Sequence, residues 1–264
     1  MLRTFQYAVQ MTGDYEPLFY PNDADAWAGE LVFAHTQAPE AWRGALRGLA
    51  GYDFSHISSD LVGRIFQRLI GPEERHRWGQ HFTGDDVVDF INAFCVRRAD
   101  AAILDPACGS GSFLVRAYYR KRSLDQYRPH VELLSGLYGS DIAAYPAHLA
   151  TLNLAAREIN DERNYPRIAR RDFFDVIPGD AFCKLPDTTG NGTLEIVLPP
   201  LDAVVGNPPY VRQEKIGRPV KEKWARLIAD RWSGTEFAGR SDAHCYFWPA
   251  AAYFLKEHGY FGFL

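Results

Sequence analysis

Apolar positions along the chain follow two alternating periods. Leu61, Val62, Ile65, Phe66, Leu69 and Ile70 fall at helical spacing behind a capping Ser59-Asp60, and Gly71-Pro72 ends the run. A second helical pattern starts at Gly84-Asp85-Asp86 and carries Val87, Val88, Ile91, Phe94 and Cys95 inward. Short, mostly apolar runs then predict buried strands over 101–104, 136–140, 173–177 and 201–205. Between them, 143–159 reads as a helix with Pro146 in its first turn and Leu149, Leu152, Ala156 and Ile159 inward. A charged helix over 215–231 turns Trp224, Leu227 and Ile228 inward, and Ser241-Asp242 caps a helix through Phe247, Ala251, Phe254 and Leu255. Strands alternating with helices predict an α/β domain with helices on both faces of a parallel sheet.

The remaining stretches are connectors. Residues 121–132 are polar and basic and read as surface, and 184–200 read as a hairpin or loop. Residues 1–54 form a partly helical N-terminal extension, rich in aromatics such as Phe5, Tyr7, Trp27 and Trp42, that packs onto a domain spanning 55–264. A strand beginning at 259–264 implies further sheet neighbours, so the sequence reads as a truncated or split protein.

Composition changes this picture little. No apolar run is long enough to span a membrane, and the first residues lack the apolar core of a signal peptide. Four cysteines without paired spacing argue against a disulfide framework or a zinc site and fit a reducing cytoplasm. The formal net charge of −4 is low for a chain that holds nucleic acid over its whole surface, so any such contact is local or shared with another subunit.

The chemistry concentrates at strand ends. Asp105-Pro106-Ala107-Cys108-Gly109-Ser110-Gly111-Ser112-Phe113 is a strand, glycine turn and helix, which brings backbone N–H groups close to a ligand. Asp141 closes the next strand, where an acid can accept from both hydroxyls of a ribose. Pro178-Gly179-Asp180-Ala181-Phe182 follows the third strand. Gly206-Asn207-Pro208-Pro209-Tyr210 leaves the fourth.

Together with Gly79-Gln80-His81-Phe82-Thr83, these stretches resemble the γ-type N6-adenine DNA methyltransferases of restriction–modification and phage-defence systems. The resemblance implies a Rossmann-like sheet and S-adenosylmethionine as cofactor. It places Asp105, Gly109 and Phe113, joined by Thr83, at the cofactor's amino-acid end, and counts Phe82, Pro106, Ala107, Cys108 and Gly111 among the cofactor-binding residues. Asp141 with Ile142 falls at its ribose and Asp180, Ala181 and Phe182 at its adenine. Asn207, Pro208, Pro209 and Tyr210 become the catalytic loop, with Asn207 also beside the cofactor. The implied partners are double-stranded DNA with its target adenine flipped out and a separate target-recognition or defence-complex subunit; no membrane is implied.

The N6 amino group of adenine is a weak nucleophile because its lone pair is conjugated into the ring. A site for it needs fixed acceptors for both N–H groups more than a base. Asn207 offers a side-chain carbonyl and Pro208 a backbone carbonyl without an N–H. Tyr210 can stack on a base rotated out of the duplex. A protein-glutamine methyltransferase uses the same loop chemistry, and a scaffold subunit that only holds the cofactor shares the glycine turn. The long Asp-Pro-Ala-Cys turn and the segment after Tyr210 favour DNA.

Overall fold

The computed structural model describes residues 83–264 except 159, 160, 162, 188–192 and 235–239, together with residues 40, 44, 47 and 48. The helix expected over 61–70, most of the aromatic N-terminal segment and Phe82 lie outside the described residues.

Five parallel strands form the central sheet: β1 (Ile103–Asp105), β2 (Leu137–Asp141), β3 (Arg167–Arg170), β6 (Leu201–Gly206) and β7 (Leu255–Phe263), in the order β3-β2-β1-β6-β7. Successive residues of these strands point to opposite faces. Ile103, Leu137, Ala203 and Val205 enter one core, and Leu104, Tyr138, Leu201 and Val204 the other. Burial on both faces is why the strands read as continuous apolar runs.

The first core is closed by α1 (Asp85–Cys95), α2 (Ser112–Leu124), α3 (His130–Ser135) and α4 (Ala144–Ala155). The second is closed by α5 (Arg218–Arg231), α6 (Ala243–Ala252), a 3-10 turn at Phe173–Asp175 and an antiparallel hairpin of β4 (Ala181–Pro186) and β5 (Thr193–Val197). Aromatic rings dominate it. Phe174 stacks on Trp224 at 4.3 Å between centroids and meets Phe247 edge-on at 4.9 Å.

Several expectations need correction. The third strand is Arg167–Arg170, not 173–177. Asp172 accepts a hydrogen bond from the Phe174 N–H at 3.0 Å, which curls that apolar run into a 3-10 turn. Val87, Phe94 and Leu152 are exposed, so the inner faces of α1 and α4 are narrower than expected and rest on Val88, Cys95, Leu149, Ala150 and Leu154. The last helix stops at Ala252, and β7 opens at Leu255 rather than 259. Its pairing skips from Leu201–Leu255 to Ala203–Tyr260 across His258, which has φ 61°.

The basic stretch at 121–132 is not all surface. Lys121 is fully buried, and its ammonium donates to the carbonyls of Ala101 at 2.9 Å and Leu133 at 3.1 Å. Gly136 makes room for it: a Cβ there would lie 2.3 Å from Lys121 Nζ. This lysine ties the start of β1 to α3, and burial pushes it down to about 8. Between that value and its ordinary one near 10.4, the unfolded chain binds more protons, so this group's contribution to stability rises with pH across the interval. Lys121→Ala should cost about 2–4 kcal/mol at neutral pH through a cavity and two orphaned carbonyls. Lys121→Met should cost less, and urea unfolding from pH 8 to 10.5 should show the parent chain gaining on it by up to about 3 kcal/mol. A gap that stays constant with pH would show that Lys121 is not a buried cation.

Candidate active site

The sheet order makes the site. From β1 the chain steps to one side for β2 and β3, and later to the other side for β6 and β7. The order reverses between β1 and β6, and in open α/β sheets the crevice at the carboxyl ends of such a pair is where ligands bind. Asp105 ends β1, Asp141 ends β2 and Asn207 follows β6, so all three stand on one edge.

The glycine turn lies on that edge. Gly109 (φ 54°) and Gly111 (φ 85°) adopt left-handed backbone that side chains resist. Gly111 also lies under α4, where a Cβ would meet Ala150 at 3.0 Å. A Cβ on Gly109 would instead enter open space. Two buried asparagines clamp the turn. Asn92 on α1 donates to the Phe113 carbonyl at 3.1 Å, and Asn153 on α4 donates to the Ser110 carbonyl at 2.9 Å. Asp141 completes it, with one carboxylate oxygen accepting from Gly109 N–H at 3.0 Å and the other from Ala143 N–H at 2.8 Å.

Two acids therefore flank the turn. Burial pushes the Asp105 carboxyl up to about 8, against the hydrogen bond from Ala107 N–H and with a smaller push from Asp141. Burial also raises Asp141, opposed by its two backbone hydrogen bonds. Asp105 is held neutral at pH 7, and its contribution to stability falls as pH rises from about 4 to about 8. Cys108, buried beside these acids, is a thiol pushed well above its usual range, by burial first and then by the two carboxylates once they ionise. It is not a nucleophile in this state.

Asn207 faces the turn from the β6 side. Its Nδ2 donates to Thr83 Oγ1 at 3.0 Å. Its Oδ1 is buried with no hydrogen-bond partner among the described residues. Such an acceptor costs about 1–3 kcal/mol; Asn92 and Asn153 carry like atoms, and the Asn207 oxygen is set apart by its place at the carboxyl end of β6. Pro208 behind it is buried, and Tyr210 is 43% exposed. Tyr210 Oη donates to the Leu264 carbonyl.

The sequence profile of the N-6 DNA methylase family matches residues 57–264. The chain belongs to that family. A curated relative, the type I restriction enzyme MjaVII methylase subunit of Methanocaldococcus jannaschii, is 31% identical over 112 residues; the match covers 42% of this chain and 18% of the relative. The methyltransferase subunit of a type I restriction-modification system from Streptococcus thermophilus superposes over 98% of this chain and 49% of its own, with TM-score 0.60 and 20% identity. The ATP-dependent type ISP restriction-modification enzyme LlaBIII, solved bound to DNA, matches over 100% of this chain and 21% of its own, with TM-score 0.58 and 20% identity. At these identities the two structures establish a shared fold.

Within this family member, the sequence-predicted residues separate into two sets. Thr83, Asp105 to Gly111, Asp141 and Asn207 to Tyr210 gather at one edge of the sheet, with Ile142 beside them and 60% exposed. Phe113 enters the first core, so its side chain is spent on packing. Asp180 is exposed on the turn before β4, and Phe182 is buried with its ring edge-on to Tyr138 at 6.0 Å. Arg171 fixes this segment by donating to the Ala181 carbonyl at 2.9 Å.

Sequence reasoning missed the clamps. Asn92 and Asn153 interrupt otherwise apolar helix faces, and an amide at such a position was the available signal. Asp242 was expected to cap α6; it makes no side-chain cap and instead accepts from Gln213 N–H at 2.7 Å, tying α6 to the loop after Tyr210.

One glycine can be tested by itself. Gly206 has φ 154°, and a Cβ on it would lie 2.7 Å from Asp105 Oδ1. Gly206→Ala should destabilise by about 2 kcal/mol or more through backbone strain and a displaced buried carboxyl. Gly109→Ala, which meets only open space, should cost about 1 kcal/mol. Denaturant unfolding of the pair checks the order, and equal costs would remove Asp105 from the explanation.

Proposed function

We propose that this chain carries the methyl-transfer domain of an S-adenosylmethionine-dependent adenine-N6 DNA methyltransferase, the modification component of a restriction–modification or phage-defence system. The observation that carries the proposal is the buried Oδ1 of Asn207, without a partner among the described residues, at the head of an Asn-Pro-Pro-Tyr loop at the carboxyl end of β6, beside the strand that leads into the glycine turn. The family membership and the methylase-subunit relative support it. The start of the family match supports a domain that begins near residue 55, behind an N-terminal extension.

The residues present fit the cofactor. The open space at Gly109 admits a ligand against the backbone, and the N-terminus of α2 behind it favours a carboxylate. Asp141 keeps lone pairs for ribose hydroxyls beyond the two it gives to Gly109 and Ala143. Ile142 offers apolar surface, and Asp180 with Ala181 and Phe182 forms the adenine end, Phe182 by supporting the segment from below. When bound, S-adenosylmethionine supplies an electrophilic methyl group on a sulfonium.

The chain's own work is binding, orientation and charge stabilisation. Asn207 Oδ1 accepts one N–H of the target amino group and the Pro208 carbonyl accepts the other, so positive charge growing on nitrogen meets fixed acceptors. Thr83 holds the Asn207 amide in the rotamer that presents Oδ1. Tyr210 stacks on the flipped base. The prolines stiffen the loop, so little reorganisation accompanies reaction. DNA phosphates are met by exposed cations around α5, such as Arg226.

Transfer of a labelled methyl group to mixed-sequence DNA, followed by nucleoside mass spectrometry, tests the reading. N6-methyladenine should form, and Asn207→Ala should lower it at least 10²-fold with little change in cofactor affinity. Activity retained in that variant would overturn the catalytic role of Asn207. Asp141→Ala should weaken cofactor binding by about tenfold or more, read by calorimetry; unchanged affinity would remove Asp141 from the ribose site.

A further inference from the structure

His244 has no part in the mechanism above, yet it lies against Tyr210, the loop residue proposed to stack on the base. Its ring sits 5.3 Å from the Tyr210 ring between centroids, with the planes 35° apart. The start of α6, just before His244, is fastened to the loop by two hydrogen bonds. Ala243 N–H donates to the Val211 carbonyl at 3.0 Å, and Asp242 accepts from Gln213 N–H. His244 Nε2 lies 3.5 Å from Cys245 Sγ. Its Nδ1 is buried and has no hydrogen-bond partner among the described residues. A leucine or phenylalanine would fill this space without an unpaired nitrogen. The imidazole is thus a poor choice for packing alone, which points to a role in the loop.

We propose that His244 is a positioning residue: it backs the Tyr210 ring and, with the Oη bond to the Leu264 carbonyl, fixes the plane on which the target base stacks. Among its contacts are the tilted His244 ring on one side and the backbone at its hydroxyl. The exposed part of Tyr210 is then presented in one orientation before any base arrives, which spares the cost of ordering it at that moment. This assignment rests on the reading of the loop as the base-binding element.

Three variants separate positioning from packing. His244→Leu fills the volume without a ring; it should fold, keep cofactor affinity close to the parent's and lose methyl transfer by about tenfold or more. His244→Phe restores the ring and removes the unpaired nitrogen, so it should recover most of the transfer with an unfolding temperature no lower than the parent's. In a Tyr210→Ala background, His244→Leu should cause no further loss, because the residue acts through Tyr210. Full activity in His244→Leu, or additive losses in the double variant, would overturn the proposal.

Tyrosine-labelled NMR of the chain without substrate gives an independent reading. The Tyr210 signal, assigned with Tyr210→Phe, should show faster ring flips in His244→Leu and restored ones in His244→Phe. Unchanged flipping would overturn the proposal even if the chain transfers no methyl group, whereas restrained flipping without transfer would count against the function alone.

Discussion

The carboxyl of Asp105 occupies the space that a side chain on residue 206 would fill. This contact fixes the ends of β1 and β6 at the point where the sheet order reverses. The glycine turn starts from one end and the Asn-Pro-Pro-Tyr loop from the other, so the crevice between them inherits its width from that approach. The contact also explains why Asp105 is buried deeply enough to be held neutral: a charged carboxyl there would face desolvation and Asp141 together, with the Ala107 N–H as the counterweight.

Two buried polar groups in this protein are satisfied in opposite ways. Lys121 is a cation with its donors directed at two carbonyls, and Gly136 leaves the volume it needs. It is a structural solution in which burial is offset by hydrogen bonds. Asn207 is a neutral amide with its donor engaged and its acceptor without a partner among the described residues. Asn92 and Asn153, which clamp the turn, also leave Oδ1 unpaired among the described residues, so it is the position of Asn207 at the carboxyl end of β6 that suits its acceptor to a substrate in the proposed reaction.

Much of the frame was legible because its signals are local. Strands buried on both faces leave apolar runs, and the acids and glycines at their ends mark the turns, as at Asp105, Asp141 and Asn207. The third strand was not legible for the same reason. Arg167–Arg170 lies at the sheet's edge with an arginine at each end, so it lacks an apolar run. The neighbouring Phe173 and Phe174 have one, but Asp172 turns them into a 3-10 bend that feeds both rings into the second core. Lys121, Asn92 and Asn153 were hidden by a different cause. A polar residue reads as surface unless its buried partners are known, and those partners lie 12 to 43 positions away. The gathering of Thr83 with Asn207, separated by 124 positions, likewise needed the fold.

The two halves of the crevice are held by different kinds of contact. The glycine turn is clamped from α1 and α4 by buried amides and from β2 by Asp141, all inside or beside the first core. The Asn-Pro-Pro-Tyr loop is held further out, by the first turn of α6, by the His244 ring and by the Leu264 carbonyl, around a tyrosine that remains partly exposed. Bonds of the first kind open only with the core, and bonds of the second kind open locally. In the proposed reaction, the half held from the core would fix the methyl donor, and the half fastened nearer the surface would meet the flipped base.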